Sequence, residues 1–271
     1  MFSLEFIRRE KPPAPPKAAI FDFDGTISLI REGWQQIMIP FFIEVLAETP
    51  GGQVEPKKEI IRTVREFVDL LTGKQTIYQC IRLAEEVTKR GGNPPEPLEY
   101  KYEYHRRLLK HIDDRLEALK NGGSPQEHLV PGSYQILEML QNHGVMLYLA
   151  SGTDEGFVKQ EAGLLQVTKY FNGGIYGAQD NYKTFSKAMV IQRIIRENEL
   201  DGSELLGLGD GYVEIQNVHE TGGFAVGVAT NESERQGVDL WKRQRLIDAG
   251  ADWIIPDFSD VNRIESQMFG G

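Results

Sequence analysis

The segment Asp22-Phe23-Asp24-Gly25-Thr26 follows directly on the short apolar run Ala18-Ala19-Ile20-Phe21. Two carboxylates at the carboxyl end of a buried strand are too costly to serve as core filler. A carboxylate is a competent nucleophile toward phosphorus, and an acyl phosphate on Asp22 would split one hard displacement into two easier ones. Asp24, two residues on, could protonate the leaving group and later take a proton from water. Phosphate facing carboxylates needs compensating charge, which a hard cation such as Mg²⁺ supplies. Asp210, in Gly209-Asp210-Gly211, is the obvious additional ligand. Glu214 lies four residues later and can fall on the same side of a helix that opens there. A third polar group, Ser151, ends the apolar run Val145–Ala150.

These residues must be held by strands. Beyond residue 132 the pattern alternates. A helix is expected over Ser133–His143, a strand over Val145–Ala150 and a helix over Asp154–Leu165. A Gly-rich turn at Asn172–Gly174 precedes a helix over Lys187–Asn198 and a strand over Glu204–Leu208. A helix near Tyr212–Glu220 and a strand over Phe224–Ala229 follow. A helix near Val238–Ala249, a strand over Trp253–Ile255 and a final helix from Asp260 complete the chain. Such alternation implies a parallel sheet covered on both faces. In that architecture ligands bind outside the carboxyl ends of the strands, at the point where the strand order reverses. Asp22, Asp24, Ser151 and Asp210 would then line one crevice.

Residues 33–122 read differently. Apolar residues recur at helical spacing in Lys57–Leu71 (Ile60, Val64, Phe67, Val68, Leu71), in Thr76–Arg90 and in Glu99–Lys120, after a first helix around Gly33–Ala47. No strand alternation interrupts them. The expected fold is α/β: a Rossmann-like, doubly wound parallel sheet core of residues 1–29 and 125–271, with an all-helical cap of residues 30–124 inserted after the first acidic segment. The stretch Lys11–Pro16, with four prolines, can be neither helix nor inner strand and is expected to be extended.

Composition narrows the function. The chain has 271 residues, 30 Lys+Arg against 40 Asp+Glu and a formal net charge of -10. That balance argues against a nucleic-acid or anionic-membrane surface, which needs a basic face. A single cysteine, Cys80, excludes an internal disulfide framework, and its place on the apolar face of its helix marks it as core. No run approaches a membrane span, and Met1–Glu10 has no signal-peptide pattern. A cytoplasmic protein is expected. The five histidines show no metalloprotease spacing. Gly207–Gly211 misses the dinucleotide pattern because Tyr212 stands where the third glycine belongs. Gly73-Lys74-Gln75-Thr76 lacks the upstream glycine of a phosphate loop.

Phe21-Asp22-Phe23-Asp24-Gly25-Thr26 resembles the first motif of the haloacid dehalogenase-like superfamily. The strand ending at Ser151 resembles its second motif, Lys187 before an apolar-periodic helix its third, and Gly209-Asp210-Gly211-Tyr212-Val213-Glu214 its fourth, with Glu where Asp is more usual. The resemblance covers residues 18 to about 258, and the inserted helices resemble the cap of the phosphoglycolate-phosphatase-like branch. It implies a Mg²⁺-dependent hydrolase of a small phosphate monoester, phosphoglycolate-like or a sugar phosphate. Asp22 would be nucleophile and metal ligand. Asp24 would be general acid/base, its carbonyl also touching the metal. Ser151, helped by backbone donors near Gly152, would hold the phosphoryl group. Lys187 would stabilise charge on the nucleophile and phosphoryl oxygens, Asp210 would bind the metal directly, and Glu214 directly or through water. Lys183 is a rival for the lysine role; Lys187 is preferred because Ser186 can cap a helix beginning there.

Helix N-termini attract anions, so Lys74 and Gln75, with Arg31 and Trp34, are candidate substrate contacts. A phosphosugar mutase on the same core, and a phosphate-sensing domain without turnover, stay open as alternatives. A dehalogenase would have little use for Asp24 or the Asp210/Glu214 pair. The expected partner is a small phosphorylated metabolite; oligomeric state is not legible.

Overall fold

The computed structural model describes residues 4–270; residues 1–3 and 271, which close the expected core at each end, lie outside the described residues. The chain divides into two compact units. One comprises the residues up to Glu32 and from Arg115 onward, the other Gly33–Asp114.

The first unit is built on strands β1 (Glu5–Phe6), β2 (Ala18–Phe21), β3 (Met146–Asp154), β4 (Gly174–Ala178), β5 (Leu205–Gly209), β6 (Phe224–Val228) and β7 (Trp253–Ile255). Their order is β1-β7-β6-β5-β2-β3-β4. All pairings are parallel except β1 with β7. From β2 the chain runs outward through β3 and β4, then returns to the other side of β2 with β5, β6 and β7. The order therefore reverses at β2. Phe21 is level with Leu149 of β3 and with Leu208 of β5, so three strand ends reach the same height.

Strand side chains alternate between faces. Ala18 and Ile20 join a core with Val190, Ile191 and Ile194 of α8 (Lys187–Glu197), Ile215 and Val218 of α9 (Tyr212–Glu220), and Leu246 of α10 (Leu240–Asp248). Phe21 points the other way and meets Phe171 and Phe258 edge-on. Helix α6 (Ser133–Asn142) packs on β3, α7 (Glu155–Leu164) on β3 and β4, and α11 (Val261–Phe269) on α6.

Several boundaries differ from the sequence expectation. β3 does not stop at Ala150 but continues to Asp154, with an irregular register against β4 between Ala150 and Asp154. Ser151 thus lies within the strand rather than past it. β4 was not anticipated, because Gly174 and Gly177 in a five-residue strand read as turn. Gly177 is required there: a Cβ would lie 2.5 Å from the Glu155 Cα. The two-residue β1 was too short to leave a pattern.

The second unit holds α1 (Gln35–Ala47), α2 (Lys57–Leu71), α3 (Thr76–Lys89) and α4 (Pro97–His111), packed against one another. Phe42 stacks on Phe67 at 5.7 Å between ring centres, and Val64, Val68, Cys80, Leu83 and Leu108 are buried with them. The expected helix over Glu99–Lys120 is instead two. α4 ends at His111, and α5 (Asp113–Lys120) starts afresh after the buried Ile112. Asp113 and Asp114 suit a first turn; from Arg115 onward the chain is again in the first unit, where Arg115 donates to the carbonyls of Ile30 (2.7 Å) and Glu32 (2.8 Å). No helix among the described residues is long and apolar enough to cross a membrane.

Candidate active site

The level ends of β2, β3 and β5 gather the polar residues. Asp22 follows β2, and its backbone N–H still donates to Leu208 of β5 at 2.9 Å. Its Oδ1 accepts the Phe23 N–H at 2.8 Å and the Lys187 ammonium at 2.8 Å. Lys187, first residue of α8, also donates to Glu214 Oε2 at 2.7 Å. Ser186 fixes that starting point, its Oγ accepting the Met189 N–H at 3.1 Å. Lys183 is exposed and makes no such contact among the described residues. Glu214, in the first turn of α9, accepts the Gly211 N–H on Oε1 at 2.7 Å. Asp210 follows β5, and its backbone N–H donates to Thr26 Oγ1 at 2.9 Å. One carboxylate oxygen from each of Asp22, Asp210 and Glu214 lies within 4.8 Å of the others.

Asp24 stands beside this trio in a different setting. Its Oδ2 accepts the Thr153 hydroxyl at 2.8 Å and the Ser151 hydroxyl at 3.1 Å. Its Oδ1 is buried and accepts no hydrogen bond among the described residues; the Arg31 Nε is 3.8 Å away. Arg31 is itself buried, and its Nε and Nη2 donate to the buried Glu161 at 2.7–3.1 Å. Gly152 is half-buried between Ser151 and Thr153.

A family model for haloacid dehalogenase-like hydrolases matches residues 16–216. The chain belongs to that family. Among curated proteins no sequence matches this hydrolase. Solved structures do. A predicted phosphoglycolate phosphatase from Haemophilus somnus 129pt is 18% identical, covers 93% of this chain and 99% of its own, and superposes with a TM-score of 0.60. A β-phosphoglucomutase from Clostridium difficile is 14% identical, with 93% and 96% covered and a TM-score of 0.63. A predicted phosphatase from Clostridium acetobutylicum is 17% identical, with 93% and 98% covered and a TM-score of 0.59. These likenesses establish a shared fold.

Electrostatics in the hydrolase site follow from burial. Desolvation pushes the Asp22 carboxyl well above the ordinary carboxylate range despite Lys187, with Glu214 and Asp210 adding repulsion. Burial likewise raises Glu214, again against the pull of Lys187. Burial disfavours the Lys187 ammonium, but Asp22 and Glu214 outweigh it and hold its pKa above the ordinary lysine value. Lys187 and Lys242 pair with these carboxylates without cancelling their charge, and three hard oxygen donors in this spacing suit a small divalent cation.

Sequence reasoning placed Asp22, Asp24, Ser151, Lys187, Asp210 and Glu214, and the fold brings these six together. Lys74, Gln75 and Trp34 belong to the helical unit. Lys74 is exposed, Gln75 buried at the turn opening α3, and Trp34 precedes α1. Reasoning missed Thr153, Glu161, Glu232 and Lys242. Thr153 had a signal, standing two residues beyond Ser151 on the same side of an extended strand. Glu161 had none, since a lone acid in a helix reads as a solvated face.

Proposed function

We propose that this hydrolase cleaves small phosphate monoesters through an aspartyl phosphate on Asp22, with Mg²⁺ as its metal. The observation that carries this reading is the convergence of Asp22, Asp210 and Glu214 oxygens within 4.8 Å, with the Lys187 ammonium 2.8 Å from Asp22. Four carboxylates (Asp22, Asp210, Glu214, Glu232) and two ammonium groups (Lys187, Lys242) form this connected cluster, a formal charge of -2 that one divalent cation balances. Asp22, Asp210 and Glu214 would hold the ion, with the Asp24 carbonyl. Bound there, it supplies charge neutralisation that lets an anionic phosphate approach carboxylates.

The residues divide the work. With Oδ1 of Asp22 occupied by Phe23 N–H and Lys187, Oδ2 is left to attack phosphorus. The bond from phosphorus to the leaving oxygen breaks as a proton on Asp24 Oδ1 passes to that oxygen. Asp24 carboxylate then takes a proton from water as its oxygen attacks phosphorus, the Asp22–phosphorus bond breaks, and inorganic phosphate leaves. Ser151, with N–H donors near Gly152, holds the phosphoryl oxygens while Thr153 keeps Asp24 in place. Lys187 spreads the charge developing on Asp22 and the phosphoryl group. Lys74, Gln75 and Arg31 are proposed contacts to the organic part of the substrate.

A panel of metabolite phosphate esters, phosphoglycolate and sugar phosphates included, scored by inorganic phosphate release with Mg²⁺ and with EDTA, tests the reading. We expect turnover that EDTA abolishes and Asp22→Asn removes. Full activity in either case ends the mechanism. Conversion of a sugar phosphate to its isomer without phosphate release would make the chain a mutase, and phosphate binding without turnover a sensor.

A further inference from the structure

The segment after β6 reads in sequence as loop and helix, yet it carries a cation into the site. The Lys242 Nζ donates to Asp210 Oδ2 at 2.7 Å and to Glu232 Oε1. All three side chains are largely buried, at 12%, 16% and 18% exposure for Lys242, Asp210 and Glu232. The lysine is held from its own backbone as well. Asp239 caps α10 and accepts the N–H groups of Trp241 at 2.9 Å and Lys242 at 3.0 Å. The loop before it is closed by a bridge between Thr230 and Val238. On the opposite side Asp210 Oδ2 rests against Gly25, where a Cβ would sit 2.2 Å from that oxygen and 3.0 Å from Glu232 Oε1.

A carboxylate at a strand end can otherwise rotate and exchange its two oxygens. Here one oxygen is clamped between a buried ammonium and a glycine backbone. We propose that Lys242, braced by Glu232, is a positioning residue that fixes the Asp210 carboxylate so that its other oxygen faces Asp22 and Glu214. The inference rests on Asp210 being a metal ligand, as proposed above. Hydrogen-bond partners of metal-ligating groups typically contribute about 10–100-fold to metal affinity.

Charge and position must be separated in the test. Lys242→Met alone adds a net negative charge, which draws a cation in while it frees Asp210. The pair Lys242→Met with Glu232→Gln leaves the formal charge unchanged and removes only the clamp. Mn²⁺ affinity of the metal-stripped protein is measured by electron paramagnetic resonance, and the Mg²⁺ activation constant by phosphate release. Urea unfolding in EDTA shows whether each variant is folded. We expect the double variant to bind Mn²⁺ about tenfold or more weakly and to need correspondingly more Mg²⁺, with kcat at saturating Mg²⁺ within about twofold of wild type. Glu232→Gln alone, the milder variant, should weaken Mn²⁺ by less than the double variant. A double variant that is folded and binds Mn²⁺ like wild type overturns the positioning role while leaving the metal reading intact. Wild-type protein that binds no Mn²⁺ overturns both.

Discussion

Replacing Lys187 by Met tests the electrostatic account most directly. The ammonium lies 2.8 Å from Asp22 and 2.7 Å from Glu214, and the three side chains are 4%, 8% and 1% exposed. Methionine approximates the lysine stem but leaves two buried carboxylates without their cation, taking the cluster from a formal -2 to -3. Breaking a buried pair by removing one partner costs about 3–5 kcal/mol. In EDTA the variant should therefore unfold at a clearly lower urea concentration than wild type. Saturating Mg²⁺ places two positive charges beside the same carboxylates, so it should return a larger part of the lost stability than it adds to wild type. Catalysis should not follow. In the proposed mechanism the lysine also stabilises charge that develops during transfer, and loss of one such donor costs about 10²–10³ in rate. Paired urea titrations in EDTA and in Mg²⁺, with kcat/KM for the best ester, read both effects. A variant that unfolds at the wild-type midpoint in EDTA, or retains wild-type kcat/KM, refutes the reasoning.

Arg31→Lys keeps the charge but cannot reproduce the two-pronged bridge to Glu161. It should lose about 2 kcal/mol in urea unfolding, and an unchanged midpoint would count against the bridge. Gly25→Ala forces alanine to φ +77 with its Cβ 2.2 Å from Asp210 Oδ2. It should cost about 1–3 kcal/mol and weaken Mg²⁺ activation through the displaced carboxylate; a normal activation constant would contradict this. Cys80 is fully buried, and burial pushes its thiol from 9.0 to about 12. The unfolded chain then releases the proton above pH 9 while the folded chain keeps it. Stability from this group is intact below pH 9 and declines as pH rises toward 12, by about 1.4 kcal/mol per pH unit. Between pH 8 and pH 10 wild type should lose about 1 kcal/mol more than Cys80→Ala, and a difference independent of pH would sink the assignment.

The acidic segment Asp22–Thr26, the Gly-Asp-Gly turn at 209–211 and the helical run of residues 33–111 were legible because each is local. Carboxylates after an apolar run cannot be core, and a 3.6-residue period needs only one face to be buried. The alternation beyond residue 132 likewise dictated a parallel sheet, and a parallel sheet dictates that its carboxyl ends hold the chemistry. Tertiary structure alone decided which strands neighbour β2, and so which of several polar strand ends share a crevice. It buried Lys187 beside Asp22 and left Lys183 exposed, a difference that their four-residue separation does not foretell. It also supplied partners whose separation in sequence gives no local signature: Glu161 for Arg31, 130 residues away, and Lys242 for Asp210, 32 residues away. Periodicity reports what a residue does to its own element, whereas a buried ion pair depends on where two elements meet.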